Sequence, residues 1–236
     1  MERLSDVFRY YGITAWVLFM TMFFSVFTQA KGPDFDNMTQ HKLDLSGTVI
    51  NYELPGRLDK RFPLRGGQTR VNIFDVGRYD GLFYDSLLLE RNWTYRGFFW
   101  QGSGSYYCMS SLRILLTRLP EPSAEGAILQ VVEAAETKAV DDTYRELNLE
   151  FAKTFNYQLG FSKEDLNGLP VLVATEIDAR TNGKVVKTSY HIPIGDSHYL
   201  SFQFDAAMVS DASREKWLGE AKRDMRRIME SVVVSD

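Results

Sequence analysis

The sequence predicts an α+β protein in which an antiparallel meander sheet is packed by two or three helices, behind one N-terminal transmembrane helix. Three observations predict it. Runs such as Leu87, Leu89, Arg91, Trp93 and Tyr95 alternate with the two-residue period of a strand. Ala221, Met225, Ile228 and Met229 recur at helical spacing. No charged residue occurs from Gly12 to Ala30, about the length an α-helix needs to cross a bilayer.

The N-terminal segment comes first. Its centre, Trp16 to Phe27, is bulky and apolar, and Tyr10, Tyr11 and Trp16 suit the membrane interface. Arg3 and Arg9 precede it and favour a cytoplasmic N-terminus, against Glu2 and Asp6 on the same flank and Lys31 beyond. The expectation is a single-pass inner-membrane protein with its C-terminal domain in the periplasm. A signal peptide cleaved after Thr28-Gln29-Ala30 is the alternative, and a buried core helix the plain structural one. The division expected is 1–30 as anchor or signal, 31–42 as a polar linker, and 43–236 as one α+β domain.

Within the domain, Thr48–Leu54 is a strand ended by Pro55-Gly56, and Arg70–Val76 is a second. Leu87–Tyr95 and Leu112–Leu116 are the next two. Ala127–Ala139 reads as a helix. Thr143-Tyr144-Arg145-Glu146 reads as a capping box opening another, with Tyr144, Leu147, Phe151 and Phe155 on one face and Gly160 at its end. Val171–Ile177 then leads through Asn182-Gly183, a pair suited to tight hairpin turns, into Val186–Ile194. Leu200, Phe202 and Phe204 line a further strand. A helix from Ala212 to Met229, with Asp211 as N-cap, closes the domain.

Composition narrows the function. The chain has 236 residues, 44% of them hydrophobic and 14% aromatic, enough for a sizeable core. The net charge of −4 and the lack of a basic run give no argument for nucleic acid. Cys108 is the only cysteine, which excludes an internal disulfide and a cysteine-rich metal site.

The element order resembles the PsbP and DcrB-like envelope fold. The resemblance rests on the early strand ending Leu54-Pro55-Gly56, the hairpin Val171–Ile194, the run Tyr199-Leu200-Ser201-Phe202-Gln203-Phe204, and a terminal helix closing on Ile228-Met229-Glu230-Ser231. It covers the final third best. It implies a binding or assembly protein rather than an enzyme, and similar domains occur among immunity proteins that neutralise toxins of bacterial secretion systems.

The stretch most suited to recognition is Gly97–Tyr107. Phe98, Phe99, Trp100, Tyr106 and Tyr107 surround a Gly/Ser centre, and rigid aromatics with small polar neighbours make good binding surfaces. A hairpin whose aromatics enter the core is the plain structural reading, and contact with a nearby membrane is a third. His191 and His198 flank a strand turn and could share a metal with Asp196 or Asp205, although two histidines at a turn more often make polar surface. Asp141-Asp142 reads as helix-start charge. Neither a metal nor a cofactor is expected. The functional expectation is a non-enzymatic, membrane-anchored module that binds a protein, with neutralisation of a secreted toxin as the form the resemblance implies. An envelope-assembly factor and an unrecognised hydrolase using His191 or His198 are the alternatives.

Overall fold

Alternating apolar residues build most of this molecule, and they build it as two sheets rather than one. The computed structural model describes residues 32–62, 64–79, 85–96, 106–124, 126–146, 157–178, 185–208 and 214–235. The large sheet holds β3 (Arg65–Gly66), β5 (Asp85–Arg96), β6 (Tyr106–Arg118), β10 (His198–Met208), β9 (Val185–Ile194), β8 (Leu169–Asp178) and β7 (Tyr157–Leu166), in that order and antiparallel throughout. The small sheet runs β11 (Val233–Ser235), β2 (Thr48–Gly56), β1 (Asp34–Leu45), β4 (Arg70–Val71), with only the short β1–β4 contact parallel. Two α-helices occur among the described residues, α1 (Ile128–Glu146) and α2 (Arg214–Glu230). The α+β class and the antiparallel meander from β8 to β10 are as expected, whereas β7 is not. The segment 12–30 lies outside the described residues, and no helix among the described residues is long and apolar enough to cross a membrane.

The main core fills the space between the sheets. Leu112, Ile114, Leu116, Leu200, Phe202 and Phe204 point inward from β6 and β10 and are buried. They meet Ile50, Tyr52 and Leu54 of the small sheet and Ala221, Met225, Ile228 and Met229 of α2. Tyr52 sets its ring edge-on to Phe202, with centroids 5.6 Å apart. Burial pushes the Tyr52 hydroxyl up to about 12. The opposite face of the large sheet carries α1, where Val132 packs with Leu119, Leu172 and Tyr199 in a smaller cluster.

Four expectations change. The polar segment 34–42 is not a linker, because β1 begins at Asp34. Only Leu43 and Leu45 of β1 are fully buried, so half-exposed polar residues hid the strand. The strand expected over Arg70–Val76 shrinks to β4, and the chain then turns into a 3₁₀ helix at Val76–Arg78. In that turn the Asp75 carboxylate accepts from the Gly77 amide at 3.1 Å. The Thr143–Glu146 box does not open a helix. It lies in the last turn of α1, which no Gly or Pro interrupts and which the Lys138–Asp142 ion pair spans at i,i+4. Asp141-Asp142 therefore sit near a helix end, not a helix start. Gly160 sits inside β7 opposite Thr175 rather than ending a helix. Leu147, Phe151, Phe155, Asn182-Gly183 and Asp211 lie outside the described residues.

Candidate functional site

One end of the molecule gathers the polar chemistry that the two sheets leave uncovered. β1 starts there at Asp34 opposite Gly56, where β2 ends, and the β5–β6 pair closes there at Arg96 opposite Tyr106. A polar cleft of about 290 Å³ opens at this end, lined by Asp34, Asp36, Arg57, Tyr95, Asp224 and Arg227. The Tyr95 hydroxyl donates to Asp224 Oδ2 at 2.7 Å, tying β5 to α2. Burial raises the Asp224 carboxyl above its usual range, against the Tyr95 bond. Asp34 moves the other way: the Asn37 side-chain amide, at 2.9 Å, is the largest cause lowering it, and the Arg57 guanidinium at 3.2 Å also lowers it. Arg227 lies 4.0 Å over the Phe35 ring, a cation–π contact that fixes the guanidinium at the wall of the cleft. The cleft thus offers carboxylates of unlike proton affinity and two positioned guanidinium groups, a lining for a polar or charged ligand surface.

Of the aromatic residues expected to bind, two fall within the described residues. Tyr106 and Tyr107 begin β6, so their backbone lies beside the cleft end of the large sheet. Phe98, Phe99 and Trp100 fall outside the described residues. Sequence reasoning missed Asp34, Arg57 and Asp224. Asp34 sat in the supposed linker, and the others carry no motif. Their only signal is that three separate elements converge, which spacing does not reveal.

The histidines do not form a joint site. His191 on β9 pairs with Ser201, whereas His198 on β10 pairs with Ile194, and the alternation places the two on opposite faces of the large sheet. His191 is 0% exposed beneath α1. Its Nδ1 lies 2.8 Å from Ser201 Oγ and 3.8 Å from Glu136 Oε1, and the Tyr199 hydroxyl donates to the same carboxylate oxygen at 3.0 Å. Ser, His and a carboxylate invite comparison with a catalytic triad. A triad needs serine on one ring nitrogen and the acid on the other. Here both oxygens approach Nδ1, Nε2 has no hydrogen-bond partner, and the serine is buried. Burial depresses the imidazole to about 3, with the Lys187 charge a lesser cause, so the ring stays neutral. This cluster pins α1 to the sheet. His198 instead packs against Tyr79, with ring centroids 5.7 Å apart, and against Phe74 at 6.3 Å. Asp205 is held by Arg113 at 2.7 Å, and Asp196 accepts the Ser123 hydroxyl at its backbone carbonyl. No cluster of three or more potential metal ligands occurs among the described residues. The chain matches no family model and no curated protein.

Proposed function

We propose that this chain is a membrane-anchored periplasmic binding module without catalysis, whose partner is a protein, and that neutralising a secreted toxin is the form this binding takes. Residues 12–30 are the single membrane span in this reading, and the resemblance to PsbP and DcrB-like domains is part of its support. The observation that carries it is the convergence at one end of the body. The polar cleft, the start of β1 at Asp34 and the close of the β5–β6 hairpin all share that end. Only Lys31, Gly32 and Pro33 separate Ala30 from β1, a reach of about 10 Å even when extended. A partner held at the cleft is then held close to the bilayer, with the backbone of Tyr106 and Tyr107 at the same end.

A soluble fragment for capturing the partner has to begin near Gly32. Starting at residue 43 removes most of β1 and with it the ladder to β2. A pull-down with residues 32–236, read by mass spectrometry, should recover one stoichiometric protein. Substituting Arg57→Glu with Arg227→Glu should release it, and co-expression with the full chain should protect cells from a captured toxin. A partner that proves to be a stable envelope complex, with no protection, would replace toxin neutralisation with assembly. A C-terminal reporter that behaves as cytosolic would end the reading.

A further inference from the structure

A second surface lies along one side of the sandwich. β3 is the terminal strand of the large sheet and β4 the terminal strand of the small one, and only residues 67–69 join them. Gly66 makes this possible: at φ +69° its Cα approaches β5 so closely that an added Cβ would stand 2.0 Å from the Leu88 carbonyl oxygen. The two edges therefore share a side. The segment that forms it, residues 57–78, has six basic residues and two acidic ones, and Asp34, Asp44 and Glu90 from neighbouring strands pair with three of its arginines. Asp59, Glu90 and Asp44 pair with Arg61, Arg65 and Arg70, and in every pair the arginine is the more exposed partner. The positive ends thus face outward.

The same segment displays apolar side chains to water. Leu64 is 61% exposed, Phe74 70% and Val76 62%. Phe74 and Val76 stand on a turn fixed from within. The Ile73 amide donates to Ser46 Oγ at 3.1 Å, the Phe74 amide to Asn72 Oδ1 at 3.1 Å, and the Tyr79 hydroxyl to the Ile73 carbonyl at 2.7 Å. Ile73 and Tyr79 point into the core while Phe74 and Val76 point out. Arginines on an edge strand guard against pairing with other sheets. That duty does not account for a held turn that presents a phenylalanine.

We propose that this basic edge, with Phe74 and Val76 at its tip, rests on an anionic lipid surface. The inference builds on the anchored reading above. Positive charge complements anionic headgroups, and exposed apolar side chains enter the headgroup boundary. The edge is also continuous with the point where the apolar segment joins the body, because Arg57 Nη1 donates to the Gly32 carbonyl at 3.3 Å. The body then lies along the bilayer on its β3–β4 side and leaves α1 and β7 facing away from the lipid.

The test uses the full chain in nanodiscs of phosphatidylcholine alone or mixed with phosphatidylglycerol. A nitroxide is attached at Val76→Cys in a Cys108→Ser background, with Thr137→Cys on α1 as the reference position. The label at position 76 should become several-fold less accessible to a water-soluble nickel chelate in the anionic discs only, and position 137 should not change. Arg65→Glu with Arg70→Glu, or about 1 M salt, where the screening length falls to about 3 Å, should restore access. Hydrogen exchange of the unmodified chain over residues 69–79 should slow in the anionic discs, and it stands in for the labelled variant if that fails to fold. Equal access in both lipids overturns the proposal, as does protection that appears only when a protein is added. A chain that does not co-purify with discs fails the anchored reading instead. Flotation on phosphatidylglycerol vesicles then decides the edge by itself, and absence of flotation overturns it.

Discussion

The two faces of the large sheet are built to different rules. Between the sheets, Leu112, Ile114, Phe202 and Phe204 meet other apolar groups, and the packing is continuous from β2 to α2. Beneath α1 the same strands present Ser189, His191, Ser201 and Tyr199, and only a small apolar cluster around Val132 accompanies them. A period of two assigns each residue to a face, so one strand serves both. The inner face contributes bulk stability. The outer face contributes a specific seat for one helix, set by hydrogen bonds to buried groups that have few other partners.

That contrast can be broken from either side. The largest effect belongs to the inner face. Phe202→Ala removes a fully buried ring and should cost about 3–5 kcal/mol in urea denaturation, and a loss below about 1 kcal/mol would mean the sheets do not pack as described. Next comes acid sensitivity from the outer face. Burial depresses His191 to about 3 in the folded chain, against about 6.5 when unfolded. Above about pH 6.5 the ring is neutral in both states and has no effect. As pH falls from about 6.5 toward 3 the unfolded chain binds a proton the folded chain refuses, so stability drops by about 1.4 kcal/mol per pH unit. His198, also lowered chiefly by burial, adds in the same direction. Glu136, raised by burial, opposes it once pH falls through its own elevated pKa. His191→Asn should flatten the fall in denaturation midpoint between pH 7 and pH 5, and an unchanged slope would remove His191 as its cause.

Smaller effects sharpen the comparison. Tyr199→Phe deletes the bond to Glu136 and should cost about 1–2 kcal/mol, because the acceptor carries charge but keeps some access to water. Amide exchange in α1 should rise more than in α2 if that bond seats the helix. Lys138→Ala breaks an exposed i,i+4 pair on the solvent side of α1 and should shift stability by no more than about 0.5 kcal/mol. A larger loss there would show that α1 depends on its outer surface as well as on its seat.

Strands that bury one face completely were legible in the sequence. β5, β6, β8, β9 and β10 follow the alternation of their apolar residues, and α2 follows its helical stripe. β1 was not legible, since most of its side chains stay partly in water and only Leu43 and Leu45 mark it. β7 was obscured by the preceding aromatic spacing, which reads as helix, and by Lys163 and Glu164 midway along an edge strand. In β5 the alternation itself slips: a bulge between Leu87 and Leu89 buries Leu88 and Leu89 together and leaves Leu87 partly exposed. Of the candidate binding residues, the backbone of Tyr106 and Tyr107 comes to the cleft end, while the cleft itself required Asp34, Tyr95 and Asp224 to be brought from three elements. The basic edge was equally hidden. Its arginines are spaced four to eight residues apart, and only the folding of β3 and β4 onto one side concentrates them.

β2 is flanked by β1 on one side and by Val233–Ser235 on the other, so Asn51 and Val233 are partners although most of the polypeptide lies between them. A ribosome has to deliver residue 235 before the seam can close, and no shorter nascent chain can lock this part of the structure in advance. Closing so long a loop makes this pairing slow beside the local β1–β2 hairpin.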